Sequence, residues 1–298
     1  MTVTEQNSYR LGVAYVAVSA FLWSLSGLFM RAIETDLMTI LFLRGIVSGA
    51  TVFLFFLVVE RGRSWEILKA MRWPTLLAAV FSAASMMSGL GSLYYTSIAD
   101  SMVIYATAPF ITAFLAYFYI GERPSRATVI ASTVAFCGVV YMVTDSAGGS
   151  SSVLGRGLAV IMAISVAALA VVMRKHREVS MLPAMAASAW LCTLFTAPFA
   201  SPLTIGSSDL GLIVAFGVVQ NGIGLALYTF GAKRIPAVDA SLLTALEVPL
   251  TPLWVWIFMN EVPTQATQIG GAVVLAALFG HIYAEMRRNR ATVAVAPL

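Results

Sequence analysis

Charge is what this sequence has least of. Only 11% of its 298 residues are Asp, Glu, Lys or Arg, where a soluble domain carries about 25%. Water is therefore excluded as the solvent for most of the surface. Histidine is scarcer still. His176 sits among basic neighbours and His281 near the end of the last apolar run, and neither has the Ser, Cys or carboxylate companions that a triad or metal site needs. The two cysteines, Cys137 and Cys192, both fall in apolar runs and read as small packing residues rather than a disulfide or metal pair. No Walker sequence is present, which argues against an ATP-driven pump, and nothing calls for a cofactor or a metal. The formal charge of +4 does not point to nucleic acid, because the basic residues form short clusters between apolar runs. The first ten residues lack the small-residue cleavage site of a signal peptide, so the first apolar run is expected to stay in the mature chain.

What is abundant is apolar length. Hydrophobic residues make up 59% of the chain, and a spanning helix needs about 20 of them in a row. Apolar windows with polar or Gly/Pro/Ser breaks predict ten spans, near 11–30, 38–59, 74–96, 101–120, 127–144, 157–173, 182–199, 210–232, 240–259 and 266–284. With the N-terminus in the cytoplasm, all but three of the 18 Lys and Arg fall on the cytoplasmic side, the exceptions being Arg31, Arg44 and Arg156. The positive-inside rule then places both termini in the cytoplasm. The expected fold class is an all-α membrane protein.

The chain also repeats itself. Residues 239–261 open on Asp239, carry Pro249 and Pro252, and close on Glu261; residues 100–122 open on Asp100, carry Pro109, and close on Glu122. Residues 11–31 and 154–174 both begin Leu-Gly and end Met-Arg, and Gly89-x-Gly91 leads to Tyr95-Thr96 as Gly222-x-Gly224 leads to Tyr228-Thr229. The reading is two five-helix units, 1–144 and 154–286, joined by a Gly/Ser-rich linker at 145–153 and followed by a cytoplasmic tail at 287–298. Five is odd, so the second unit is inverted relative to the first, which is the architecture of secondary carriers. The Gly-x-Gly pairs lack the strand–helix setting of a nucleotide fingerprint and read as close helix packing.

Polar groups inside spans are the functional candidates, because burying them in lipid is costly. Glu247 lies eight residues past Asp239, roughly 12 Å into the membrane. It can take a substrate ammonium or a proton, which would make the proton a coupling ion, or it can tie two helices together. Pro109, Pro249 and Pro252 are candidates for helix kinks that gate a pathway, since proline removes a backbone hydrogen bond. Gln220 and Asn221 suit a pocket wall or an interhelical tie. Trp23 and Tyr105 can line an amphipathic pocket, and Ser85 belongs to a small, soft face on the third span. Arg44 can snorkel, meet a substrate carboxylate or pair with a protein carboxylate, the last being the favoured reading. Glu122 and Glu261 close helices where the macrodipole disfavours a carboxylate, so each is expected to be paired, Glu122 with a basic loop residue or either one with the first amides of the next helix.

Leu22-Trp23-Ser24, Leu41-x-x-Arg44, Ala108-Pro109 leading to Gly121-Glu122-Arg123, Leu246-Glu247 and Asn260-Glu261 together resemble drug/metabolite transporters of the ten-helix EamA type. Two departures stand out. The proline after Leu246-Glu247 comes one place late, and Asn260 stands where the family usually has Gly. The resemblance implies export of small metabolites across a bacterial inner membrane, through a central cavity between the halves. Among the subgroups it is most similar to amino-acid exporters, including those for aromatic amino acids. The partners then expected are a small-molecule substrate and the lipid bilayer, with no nucleic acid and no enzymatic activity. A nucleotide-sugar or phosphometabolite carrier of the same fold would need several basic residues in the cavity, and only Arg44 lies within a span. A non-transporting sensor or scaffold would need no polar central pocket.

Overall fold

The computed structural model describes residues 3–69, 71–121, 126–145, 152–176, 181–202, 205–232, 234 and 243–295. Among the described residues there is no strand. Backbone groups in lipid must be satisfied within the protein, and helices do so within each segment. Among the described residues, seven helical stretches are long and apolar enough to cross a membrane: Asn7–Ala32, Leu37–Lys69, Trp73–Tyr95, Ile98–Ile120, Val153–Met173, Leu182–Phe199 and Ser207–Gly231. Two shorter apolar helices, Arg126–Tyr141 and Glu247–Met259, accompany them. Glu122, Asp239 and most of the 145–153 linker lie outside the described residues.

In chain order the helices are α1 (Val3–Ser24), α2 (Ser26–Ala32), α3 (Leu37–Glu60), α4 (Ser64–Lys69), α5 (Trp73–Tyr95), α6 (Ile98–Tyr105), α7 (Ala108–Ile120), α8 (Arg126–Asp145), α9 (Val153–Lys175), α10 (Leu182–Thr196) and α11 (Ser207–Ala215). A π-helical segment, Phe216–Ile223, follows α11 directly; then come α12 (Gly224–Ala232), α13 (Glu247–Met259) and α14 (Gln265–Val295). Polar residues fix several starts. The Asp36 carboxylate accepts from the Thr39 amide at 2.9 Å to cap α3, and the Ser97 hydroxyl accepts from the Asp100 amide at 3.0 Å to cap α6. The last helix runs on to Val295, into the stretch that the sequence reads as a tail.

The window expected as one span at 101–120 is two helices, interrupted at Ala106–Thr107. At the equivalent place, Leu246 separates the end of a short turn from α13. Tight i→i−3 bonds bracket both breaks: Thr107 N to Ile104 O and Phe110 N to Thr107 O in one copy, Leu246 N to Leu243 O and Val248 N to Ala245 O in the other. Pro109 and Pro249 each sit in the first turn after the break, where an amide has no intrahelical partner to lose. A proline one place late therefore moves the missing donor by one residue and leaves the break in the same register. Pro252 lies inside α13. The two matching helices also end alike. Gly121 after α7 and Asn260 after α13 are both left-handed, with φ of 82° and 54°. Asn is the side chain besides Gly that adopts this conformation most readily, which accounts for Asn260 in a glycine's place.

The bundle packs in pairs: α5 on α9, α3 on α10, α8 on α14, and α1 on α12. The expected Gly-x-Gly packing is present on both sides. A side chain at Gly89 or Gly91 would press on Met162 or Leu158 of α9, and one at Gly222 or Gly224 would press on Thr51 or Trp23. The largest buried cluster joins Leu41, Met102, Ile104, Phe216, Val248 and Val255 with residues from α2, α5 and α14. The candidate site lies around it.

Candidate functional site

At one end of the bundle, two ion pairs meet. Arg31, in the last turn of α2, donates from Nε to Glu261 Oε2 at 2.6 Å and from Nη2 to Oε1 at 3.2 Å. The same guanidinium reaches the Leu93 carbonyl at 2.7 Å and the Thr96 carbonyl at 2.9 Å, the orphan acceptors at the end of α5. Glu261 Oε1 also accepts from the Ile98 amide at 2.9 Å, so the start of α6 supplies a helix-end donor as the charge on Glu261 requires. Nearby, Asp100 accepts from Arg156 Nε at 3.1 Å and from the Thr267 hydroxyl at 2.6 Å, with Asp100 only 1% exposed. Gly155, next to Arg156, lies against the backbone of Tyr95 and Thr96 and binds this corner together.

Deeper in the bundle sits Arg44, 5% exposed. Its partner is not a carboxylate. Nη2 donates to Gln220 Oε1 at 2.9 Å, and the guanidinium carbon stands 4.4 Å from the centre of the Phe216 ring, which itself stacks on Phe29. Among the described residues Arg44 makes no ion pair, contrary to the pairing the sequence favours. The carboxylates of Asp36, Glu261 and Asp100 are committed elsewhere, to the α3 cap, to Arg31 and to Arg156. Gln220 and Phe216 both belong to the π-helical segment, and Gln220 Nε2 makes a long contact of 3.5 Å to the Trp23 carbonyl. The Trp23 indole lies at 5.3 Å from the Tyr228 ring and over Gly224. Arg44, Gln220 and Trp23 thus form one cluster.

Glu247 and Tyr105 form a second grouping. Each sits at its helix's side of a break, half-buried, and within electrostatic reach of the other. Among the described residues the Glu247 carboxylate accepts no hydrogen bond. Ser85 turns back on its own helix, donating to the Ser82 carbonyl at 2.8 Å, while Ser82 makes the tie to Ser188. Asn221 is half-buried next to Gln220 and stays outside the Arg44 hydrogen bonds. No group of three or more His, Cys, Asp or Glu able to hold a metal occurs among the described residues.

The sequence model of the EamA-like transporter family matches this chain twice, over residues 10–144 and 153–283. The chain belongs to that family. It is 24% identical over 274 residues to an uncharacterized transporter of Archaeoglobus fulgidus, covering 90% of this chain and 94% of the relative. It is also 23% identical over 276 residues to the pseudopaline exporter CntI of Pseudomonas aeruginosa, again covering 90% and 94%. A crystal structure with 19% sequence identity superposes with a TM-score of 0.65 over 95% of this chain and 98% of the other, which shows a shared fold.

In this EamA-family transporter, sequence reasoning missed the Asp100–Arg156–Thr267 triad and gave Glu261 no named partner. One signal was available. Arg31 and Arg156 are the exceptions to the basic clustering that the sequence shows, and a cation withdrawn from water needs an anion. Phe216 carried no signal, being one of 17 phenylalanines.

Proposed function

We propose that this transporter exports amino acids, aromatic ones included, or related small metabolites across a bacterial inner membrane. In this reading ten spans form two inverted five-helix halves with both termini in the cytoplasm, and solute moves by alternating access between them. The observation that carries it is the pair of ion bridges at one end. Arg31–Glu261 and Asp100–Arg156 each join a residue of the first family-matched unit to one of the second, in a single corner of the bundle. Contacts that hold two halves at one end are what a carrier breaks to open there.

The helix pairs support the inverted repeat. Exchanging the two units turns the α5–α9 pair into the α12–α1 pair, and returns α3–α10 and α8–α14 to themselves, as a pseudo-twofold axis in the membrane would. The relative named as an exporter supports the direction. Trp23, Gln220 and Asn221 line the solute's path, Glu247 beside Tyr105 takes the ammonium group or a proton, and Ser85 lies on the small-residue face of α5. The breaks before Pro109 and Pro249 are the hinges, with Pro252 beyond the second.

The test is counterflow in proteoliposomes with labelled amino acids, nucleotide sugars and cationic drugs. Amino-acid flux is expected. Absence of flux for every amino acid sinks the proposal. Glu247→Gln is expected to abolish transport or flatten its pH profile, and wild-type rates across pH would reduce Glu247 to a structural role.

A further inference from the structure

Arg44 carries donors that the fold leaves unused. Its Nε and Nη1 are sealed from solvent and have no hydrogen-bond partner, although the residue is 5% exposed. A guanidinium stays protonated in proteins and presents five N–H groups. Gln220 takes one N–H of Nη2. Whichever of the two Nη2 hydrogens it uses, the opposite edge of the fork keeps two parallel donors. That edge is the shape a carboxylate fits, with two N–H···O bonds at once. The other titratable group facing Arg44 is the Cys192 thiol of α10, which supplies no resident negative charge as a thiol. Leaving a buried charge without a counter-charge is strongly destabilising, so a buried cation held only by an amide and a ring face calls for an anion.

A second observation points to the same place. Gln220 and Phe216 reach Arg44 from the π-helical segment Phe216–Ile223, a backbone form that is rare and concentrated at functional sites. The amide of Gln220 is oriented at both ends, by Arg44 and by the Trp23 carbonyl. Arg44 and Trp23 belong to the first family-matched unit and Gln220 to the second, so motion of one half against the other opens or seals the free edge.

We propose that Arg44, steadied by Gln220, is the site that binds the carboxylate group of the exported solute. This rests on the amino-acid export reading and adds the group that recognises the acid end. A single fork with one free edge suits a monoanionic carboxylate. A phosphate dianion would need further cations, and among the described residues Arg31 and Arg156 are engaged elsewhere.

The experiment is proteoliposome counterflow with three probes of one shape: phenylalanine, phenethylamine (no carboxylate) and 3-phenylpropionate (no amine). Wild type is expected to favour phenylalanine over phenethylamine. Arg44→Gln is expected to cut that preference by about 10-fold to 100-fold, the loss of a charge-assisted bidentate pair, and to weaken 3-phenylpropionate in parallel; Arg44→Lys should fall between. An unchanged preference in Arg44→Gln overturns the assignment while leaving the export reading intact. Wild-type flux of no carboxylated probe overturns both.

Should Arg44 variants fail to fold, Gln220→Glu supplies the second measurement. It sets a carboxylate against Arg44, so thermal stability should rise while carboxylate preference collapses. A Gln220→Glu protein with wild-type preference overturns the assignment.

Discussion

Cutting the Arg31–Glu261 bridge should open the end of the bundle it holds, and the size of the effect follows from its geometry. Both side chains are about a quarter exposed, at 25% and 27%. The pair therefore lies between exposed bridges, worth at most about 1 kcal/mol, and buried ones, whose disruption costs about 3–5 kcal/mol. Two-point contact and the Ile98 amide raise it above a plain surface pair. A value of about 1.5 kcal/mol corresponds to roughly a tenfold shift in the population open at this end. The probe is Ala99→Cys in a Cys137→Ser background; Ala99 is 7% exposed beside Glu261, and the remaining Cys192 is fully buried. Labelling by a membrane-impermeant maleimide should speed up about tenfold on Glu261→Gln. It should speed up more on Arg31→Gln, which also gives up the Leu93 and Thr96 carbonyls. The double variant should fall short of the sum of the two single effects, since both changes remove one shared interaction. A charge-swapped pair should not restore the wild type, because a carboxylate at position 31 would face those two carbonyls. Unchanged labelling in the single variants, or strictly additive effects, would refute the reasoning.

Further outcomes follow from the packing, the buried ion pair and the caps. Gly155→Ala should lower the melting temperature and cost about 1–3 kcal/mol, the usual range for overpacking. Its Cβ would come within 2.7 Å of Thr96 Cβ and 2.8 Å of the Thr96 nitrogen, whereas Gly157→Ala meets nothing and should be neutral. Thr267→Val should cost about 1–2 kcal/mol by removing the 2.6 Å bond to Asp100. Asp100→Asn should cost more, because it also neutralises one side of the buried Asp100–Arg156 ion pair; thermal unfolding in detergent ranks the two. Asp36→Ala should cost about 1 kcal/mol through loss of the α3 cap. Burial alone would raise the Asp36 carboxyl, but the hydrogen bonds at Thr39, with the backbone ones at Met38 and Asp36, together outweigh it and hold the group below its ordinary value. Its contribution is thus complete above the unfolded carboxylate value and is lost as pH falls through the lowered one, and Asp36→Asn should remove that pH dependence.

Helix positions were largely legible because apolar length is a strong and averaged signal. The windows at 74–96 and 182–199 lie within a residue of Trp73–Tyr95 and Leu182–Phe199. Interruptions were less legible. Averaging over a window hides the breaks at Leu25 and at Ala106–Thr107, which depend on a few backbone bonds. Pro109 and Pro249 marked where to look, and the αL residue at 260 explained an apparent departure from the family pattern. The site was legible by residue type and not by partnership. Arg44, Gln220 and Trp23 stood out as polar or amphipathic groups in lipid, yet their contacts span 176 and 197 positions in sequence. Arg31 meets Glu261 across 230 positions, and Thr267 meets Asp100 across 167. Such pairings are decided by which helices become neighbours. The π-helical register around Gln220 has no compositional mark, because hydrogen-bond spacing is set by how α11 and α12 must fit against α3 and α1.

The left-handed residue at the end of α13 has a consequence for how the electrostatic corner can fail. At φ of 54°, Asn260 turns the chain out of the helix line within one residue and sends Glu261 toward Arg31 and Ile98 instead of onward along the axis. The aim of a charge is therefore entrusted to a single backbone angle. A β-branched side chain at 260, chemically silent and touching neither partner, would resist that angle and swing the carboxylate away. In this protein a purely steric lesion can mimic the deletion of an ion pair, with every charged residue still in place.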